Sequence, residues 1–502
     1  MNTTRASILA LCALALAILP AAPADAQTKL LRFPDIHGDQ VVFTYAGDLW
    51  LAPAAGGTAR RLTTHPGLEL FGRFSPDGSQ IAFTGQYDGD EQVYVVPTAG
   101  GEPRQLTYYP ANGPLAPRWG YDNQVYGWTP DGSAILFRSM RDGWDLGDTQ
   151  LFTVPVGGGM PVALPMPESG AGSYSPDGSK IVYTPLVRDF RHWKRYQGGW
   201  AQELYIFDLA THATTRVTDH PRADRDPMWI GDTIYFTSDR DGHNNLFAYD
   251  VASGATRQLT THSPWDVRWP AEDGAGGRIV YELDGELQIL DLGSESSTAI
   301  SIRVPDDGVN RRPSRVEAAA LIEDFNLSPK GERALFSARG DIFTAPIEHG
   351  PTRNLTRSSG AHDREAAWSP DGATIAYVSD ADGEEEVWLV AQDGQSAPRQ
   401  LTDGNRARLF QLVWSPDSEV IAFSDQGQRL YVVDVVSGEQ RQIADDPSAF
   451  GLDYEWSPDS GWLAFSMGHP NQFRSIHVWE RASGELRQVT SELFNEFSPS
   501  WS

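Results

Sequence analysis

Cysteine is almost absent from this chain: the only one in 502 residues is Cys12. It lies in an amino-terminal segment laid out like a secretory signal peptide, residues 1–26. Arg5 supplies the positive charge, Ile8 to Leu19 the apolar run and Ala24-Asp25-Ala26 the small-x-small cleavage site. Cleavage after Ala26 leaves a mature chain without cysteine, which excludes disulfides, thiolate metal sites and a cysteine nucleophile together. Leu11 is not the small residue that a lipoprotein signal places before its cysteine, so lipid anchoring is excluded too. Long apolar runs are also missing. Ile8 to Leu19 is too short to cross a bilayer and no later stretch replaces it, so the expectation is a periplasmic protein with no membrane insertion. Positive charge is scarce: 40 Lys and Arg against 67 Asp and Glu give a formal charge of -27, which repels phosphate backbones and argues against nucleic acid as a partner. Helical periodicity of useful length is absent. So are Gly-x-Ser-x-Gly, His-Glu-x-x-His and Gly-x-x-x-x-Gly-Lys, and no catalytic residue, metal site or cofactor is assigned within the chain.

Turn residues and aromatics are abundant: 48 Gly, 34 Pro, 16 Trp, 17 Tyr and 21 Phe favour a turn-rich fold of strands. They are arranged as a repeat. Ser75-Pro76-Asp77-Gly78 reappears as Ser175-Pro176-Asp177-Gly178, Ser369-Pro370-Asp371-Gly372, Ser415-Pro416-Asp417 and Ser457-Pro458-Asp459. Equivalents of its Ser fall at Pro34, Ser75, Thr129, Ser175, Ile230, Pro270, Ser328, Ser369, Ser415, Ser457 and Ser502, spaced 40 to 58 residues apart as propeller blades are. In one unit Phe71 to Phe74 precedes the turn, Ile81-Ala82-Phe83 follows it, Tyr87-Asp88-Gly89-Asp90 leads to Val93 to Val96, and Ala99-Gly100-Gly101 leads to Arg104-Gln105-Leu106-Thr107. That makes four short antiparallel strands. Such a sheet buries both faces only by stacking on its like around an axis.

The fold class expected is therefore all-β: a six-bladed β-propeller over residues 27–306, a polar linker over 307–313, and a second, incomplete propeller over 314–502. The second holds four blades and, at Trp501-Ser502, the opening of a fifth.

Two insertions interrupt the repeat. Arg188 to Trp200 interleaves cations with aromatics, and His192, Lys194 and Arg195 are its candidates for binding an anionic or peptide ligand; the alternative is a loop lying over the propeller face. His192 has no His or Cys at ligand spacing and is not read as a metal ligand. Residues 110–126 carry Arg118, whose guanidinium suits a carboxylate, or which belongs to a loop packed on its own aromatics. The acidic turns Asp239-Arg240-Asp241-Gly242 and Asp380-Ala381-Asp382-Gly383 lack the rest of a calcium loop and read as hairpin turns.

Pro34-Asp35-Ile36-His37-Gly38-Asp39 with Gly47-Asp48-Leu49-Trp50, His192 to Gly199, and Glu348-His349-Gly350-Pro351-Thr352-Arg353-Asn354-Leu355-Thr356 resemble the amino-terminal region of tricorn-type serine peptidases. The resemblance implies a six-bladed and a seven-bladed propeller that filter and channel oligopeptides to a carboxy-terminal catalytic region, in a homo-oligomeric whole protein. Peptides or unfolded polypeptide segments are the implied partners. Two departures stand out: Arg118 is followed by Trp119 where the archaeal pattern has two arginines for a substrate's carboxylate, and the family archetype is cytoplasmic. The turn repeat alone also fits a TolB-like periplasmic interaction propeller without peptidase activity.

Overall fold

In a computed structural model the described residues are 28–110, 120–144, 147–187, 189–190, 195–274, 276–308, 312–446, 448 and 451–502. The chain divides into two compact units, Met1–Arg312 and Pro313–Ser502. The signal-peptide reading, Arg118, His192 and Lys194 lie outside the described residues.

Both units are built of four-stranded antiparallel sheets, six in the first and four in the second among the described residues. The second sheet is typical: Glu69–Phe74, Gln80–Gly85, Gln92–Pro97 and Arg104–Gln105 pair in chain order. Its first turn shows why the motif recurs. Ser75 Oγ donates to Asp77 Oδ1 at 2.6 Å, Asp77 accepts the Ser79 N–H at 3.0 Å, and Ser75 Oγ accepts the Gln80 N–H at 3.0 Å. Gly78, at φ +71°, closes the turn. The same Ser/Thr-to-Asp bond forms at Thr129, Ser175, Ser369, Ser415 and Ser457. These bonds hold Asp77, Asp131 and Asp177 down at about 2. The Thr that ends each unit is equally local in its effect. Thr63, Thr107, Thr260 and Thr402 accept the N–H that opens the third strand, at Leu49, Val93, Leu246 and Val387.

Each sheet buries its faces against its neighbours. Val42 and Leu51 meet Ile81 and Phe83; Ala82 and Val95 meet Ile135 and Phe137; Leu136 meets Ile181; Val182 meets Ile234; Leu246 meets Ile279. A further cluster joins the sixth sheet back to the first through Val280, Leu287, Val41 and Phe43. The first unit therefore has as many cores between sheets as it has sheets. A short strand, Ile302–Arg303, then pairs in parallel with Gly57–Thr58 and seals the ring. Gly56 permits this close approach, since a Cβ there would stand 2.7 Å from the Ser301 carbonyl oxygen. Each fully buried Leu, Ile or Phe stabilises the ring by about 2 kcal/mol.

In the second unit the cores are Leu335 with Ile375, Ala376 with Ile421, and Ala422 with Leu463: three for four sheets. Trp414 and Trp456 each donate an indole N–H to a carbonyl of the preceding sheet's innermost strand, Ala367 and Val413, and Trp501 does the same to Glu455 at 3.0 Å. No described helix is long and apolar enough to cross a membrane.

The repeat register needs correcting in two sheets. In the first, the strand Arg32–His37 turns at Gly38-Asp39, and in the sixth the turn opens at Asp273, not at Pro34 and Pro270. Both prolines sit inside a β-bulge, where no ladder N–H is required, and so mimic the turn proline in sequence.

Candidate functional site

The innermost strands of the first unit begin with a repeated irregularity. Register shifts fall between Arg32 and Asp35, Leu70 and Arg73, Arg225 and Met228, and Arg268 and Ala271. Phe33, Phe71, Asp226 and Trp269 sit there at φ of 50 to 56°, a left-handed conformation that costs a non-glycine residue about 1 kcal/mol or more. The bulge turns these side chains toward the ring axis.

On the axis the strands enclose a cavity of about 460 Å³. Every innermost strand contributes to it: Asp35 and His37, Arg73 and Phe74, Tyr126 and Trp128, Ser173 and Tyr174, Asp226 and Trp229, Trp269 and Glu272. At the end where these strands begin, rings converge. Phe33 and Phe71 are 4.4 Å apart between centroids, Phe33 and Trp269 4.8 Å, Trp269 and Phe190 4.9 Å, and Tyr121 and Phe190 5.5 Å. Phe190 belongs to the insertion in the fourth sheet, yet reaches Phe33 of the first at 6.3 Å, so the rings lie across the axis as a roof. The opposite end opens between the exposed turn residues Pro76, Pro130, Pro176 and Gly231.

A buried ion pair holds the roof. Arg138 and Asp189 are almost wholly enclosed and lie 3.1 Å apart. Tyr126 donates its hydroxyl proton to Asp189 at 2.8 Å, and Arg138 also reaches the Tyr121 carbonyl at 3.0 Å and Gln124 Oε1 at 3.1 Å. This ties the residues flanking the Arg118 insertion to the Arg188–Trp200 insertion. They meet at Gly120, where a Cβ would lie 2.5 Å from the Phe190 ring.

The cavity wall is acidic. Asp35 accepts the Phe74 N–H at 2.7 Å, and burial outweighs the Arg73 charge to push its carboxyl up to about 7. Burial, with the neighbouring Asp35 charge, raises Glu272 to about 8. Arg73 gives its own N–H groups to the carbonyls of Pro34 at 2.9 Å and Tyr126 at 3.3 Å. Asp226 accepts from Thr237, and Asp273 pairs with Arg278.

Of the candidates named from sequence, Arg195 is described. Its N–H donates to Asp239 Oδ2 at 3.1 Å and its Nε to the Gly242 carbonyl at 2.6 Å, which fastens the fourth-sheet insertion to the Asp239–Gly242 hairpin. That acidic turn is thus occupied by protein donors. In the second unit Asp382, Glu386 and Asp403 bring carboxylate oxygens within 4.8 Å of one another, with Glu386 accepting from Thr402 and from the Asn405 N–H. The cavity carboxylates and the roof were not singled out from sequence. Their signal is Phe33-Pro34, Asp226-Pro227 and Trp269-Pro270, a residue and a proline at the same bulge in three sheets.

Residues 28–296 match the family described as tricorn protease N-terminal beta propeller domain, and residues 322–502 that described as tricorn protease second beta propeller domain. Tricorn protease homolog 1 of Streptomyces coelicolor is 30% identical over 500 residues, 96% of this chain and 44% of that protein. A tricorn protease homolog of Saccharolobus solfataricus is 25% identical over 480 residues, 93% of this chain and 42% of that protein. The crystal structure of the tricorn protease aligns with 94% of this chain and 45% of its own at 20% identity and a TM-score of 0.49. The chain spans less than half the length of these relatives. With both propeller families matched in order along it, this chain belongs to the tricorn protease family.

Proposed function

We propose that these residues are the substrate-handling part of a tricorn-like serine peptidase: a six-bladed propeller over 27–306 and, after a linker at 307–313, the first blades of a second ring over 314–502. They bind oligopeptides destined for a catalytic region elsewhere in the whole protein. The observation that carries the reading is the walled cavity on the axis of the first unit, in a chain whose two propeller families and relatives bear the tricorn name. Its aromatic and charged lining suits peptide groups, and its volume lies in the range of ligand pockets.

The test uses residues 27–502 with short fluorogenic peptides. Saturable peptide binding without turnover is expected; serine-hydrolase turnover, or no binding to any peptide, would overturn the assignment. In the whole enzyme, Arg118→Ala is expected to weaken processing of peptides with a free carboxy terminus. Equal kinetics on free and amidated peptides in both forms would remove Arg118 from that role. Export to the periplasm is part of the same proposal, and amino-terminal sequencing of the mature protein is expected to begin at Gln27.

A further inference from the structure

We propose that the axial cavity of the first unit is a blind pocket for a cationic group of a peptide, its terminal ammonium or a lysine or arginine side chain, with Asp35 and Glu272 as the counter-ions. The inference rests on the peptide-handling reading for the nature of the ligand, and on the cavity itself for its charge.

The shape comes first. A through-pore needs two mouths, and here the rings of Phe33, Phe71, Phe190 and Trp269 meet across the axis at one of them. A ligand enters between the turns at the other end and stops beneath the roof.

The charges come second. Glu272 lines the cavity and its carboxylate makes no hydrogen bond or ion pair among the described residues, and the Asp35 carboxylate takes only backbone N–H donors. Among the described residues the arginine beside them is Arg73, which is committed to carbonyl oxygens. The remaining acids of the wall have their own partners: Asp226 has Arg225 and Thr237, and Asp273 has Arg278. Two carboxylates on adjacent strands therefore share a space with too little positive charge. Buried among the innermost strands, the pair makes an arriving cation worth more there than at the surface. Trp229 and Trp269 border the same space, and an indole ring can add cation–π attraction.

The groups facing the pair from each packed strand are His37, Arg73, Tyr126, Asp226 and Asp273. Of these, Arg73 lowers and Asp273 raises the carboxyls. With Asp35 raised to about 7 and Glu272 to about 8, the empty pocket holds protons at neutral pH, and a bound cation displaces them. Affinity for a permanently charged guanidinium should therefore climb between about pH 6 and 8.5, with proton release.

Isothermal titration of residues 27–502 tests this with agmatine and three alanine–glycine hexapeptides: one with a free amine, one acetylated, and one acetylated with a single internal lysine. Agmatine and the two charged peptides are expected to bind at least about tenfold more tightly than the neutral one, and Glu272→Gln and Asp35→Asn are each expected to lower that affinity about tenfold. The free-amine and lysine arms show which source of the cation the pocket prefers. If all three peptides bind alike and neither variant matters, the cationic pocket is overturned while peptide handling stands. If agmatine binds with sensitivity to both variants and no peptide does, the pocket stands and peptide handling falls. If nothing binds, both fall.

Discussion

Arg138 is fully enclosed, and its charge is tolerable only because Asp189, Tyr126, Gln124 and the Tyr121 carbonyl surround it. A buried pair of this kind is costly to break from one side, because the partner is left charged and unmatched. Arg138→Met is expected to destabilise the first unit by about 3 to 5 kcal/mol, and Arg138→Met with Asp189→Asn by clearly less; equal losses in chemical denaturation would deny the coupling. Glu69 is a second case with a different sign. It is 0% exposed, it accepts from Thr63 at 2.7 Å, and burial raises its carboxyl to about 7. The folded-state value exceeds the unfolded one, so the stabilisation from the neutral acid is complete below about pH 4.5 and is lost as pH rises through about 7. The shift corresponds to about 3 kcal/mol. Glu69→Gln is expected to be more stable than the parent at about pH 8.5 by up to that amount and nearly equal at about pH 5, as read from unfolding midpoints at the two values. Neither residue was legible in the sequence. Arg138 lies in an ordinary strand and Glu69 opens one, and only the fold brings their partners to them from 51 and 6 residues away.

The four-stranded sheet was the most legible element, because its signals are local. Ser75-Pro76-Asp77-Gly78 specifies its turn within four residues, and Arg104 to Thr107 marks the closing strand. The bulge was less legible, since it is set by pairing with the next strand, and its proline in the first and sixth sheets imitated the turn. The insertions were visible as interruptions, but what they do at Phe190 depends on residues far off in the chain. Gly120 is the point where the two insertions touch. At φ +73° and with a Cβ that would fall 2.5 Å from the Phe190 ring, Gly120→Ala must move that ring or the loop. We expect trypsin to cut the 185–203 segment about tenfold faster in this variant, consistent with strain of about 1–3 kcal/mol; an unchanged rate would show that the roof does not depend on this contact.

At the scale of the whole chain, the two units differ in how their apolar surface is used. The first returns to its own beginning through Ile302 and, among the described residues, leaves seven large apolar side chains bare, Trp144 and Met160 the most, against thirteen in the smaller second unit. The second exposes Phe325 at 77%, Leu327 at 57%, Leu493 at 74% and Phe494 at 68% on its first sheet and last segment. Surfaces of this kind drive association, and a charge of -27 opposes it until salt screens it. Residues 27–502 are therefore expected to self-associate in sedimentation velocity as salt rises, and residues 27–312 to do so less at the same salt; the reverse order would locate the sticky surface in the first unit. The bulges of the innermost strands have a last consequence. Backbone pairing places Phe33, Phe71, Asp226 and Trp269 at the same address in four sheets, and that address carries three different letters. A lineage can rewrite what its cavity accepts one letter at a time, while the cores between sheets stay untouched.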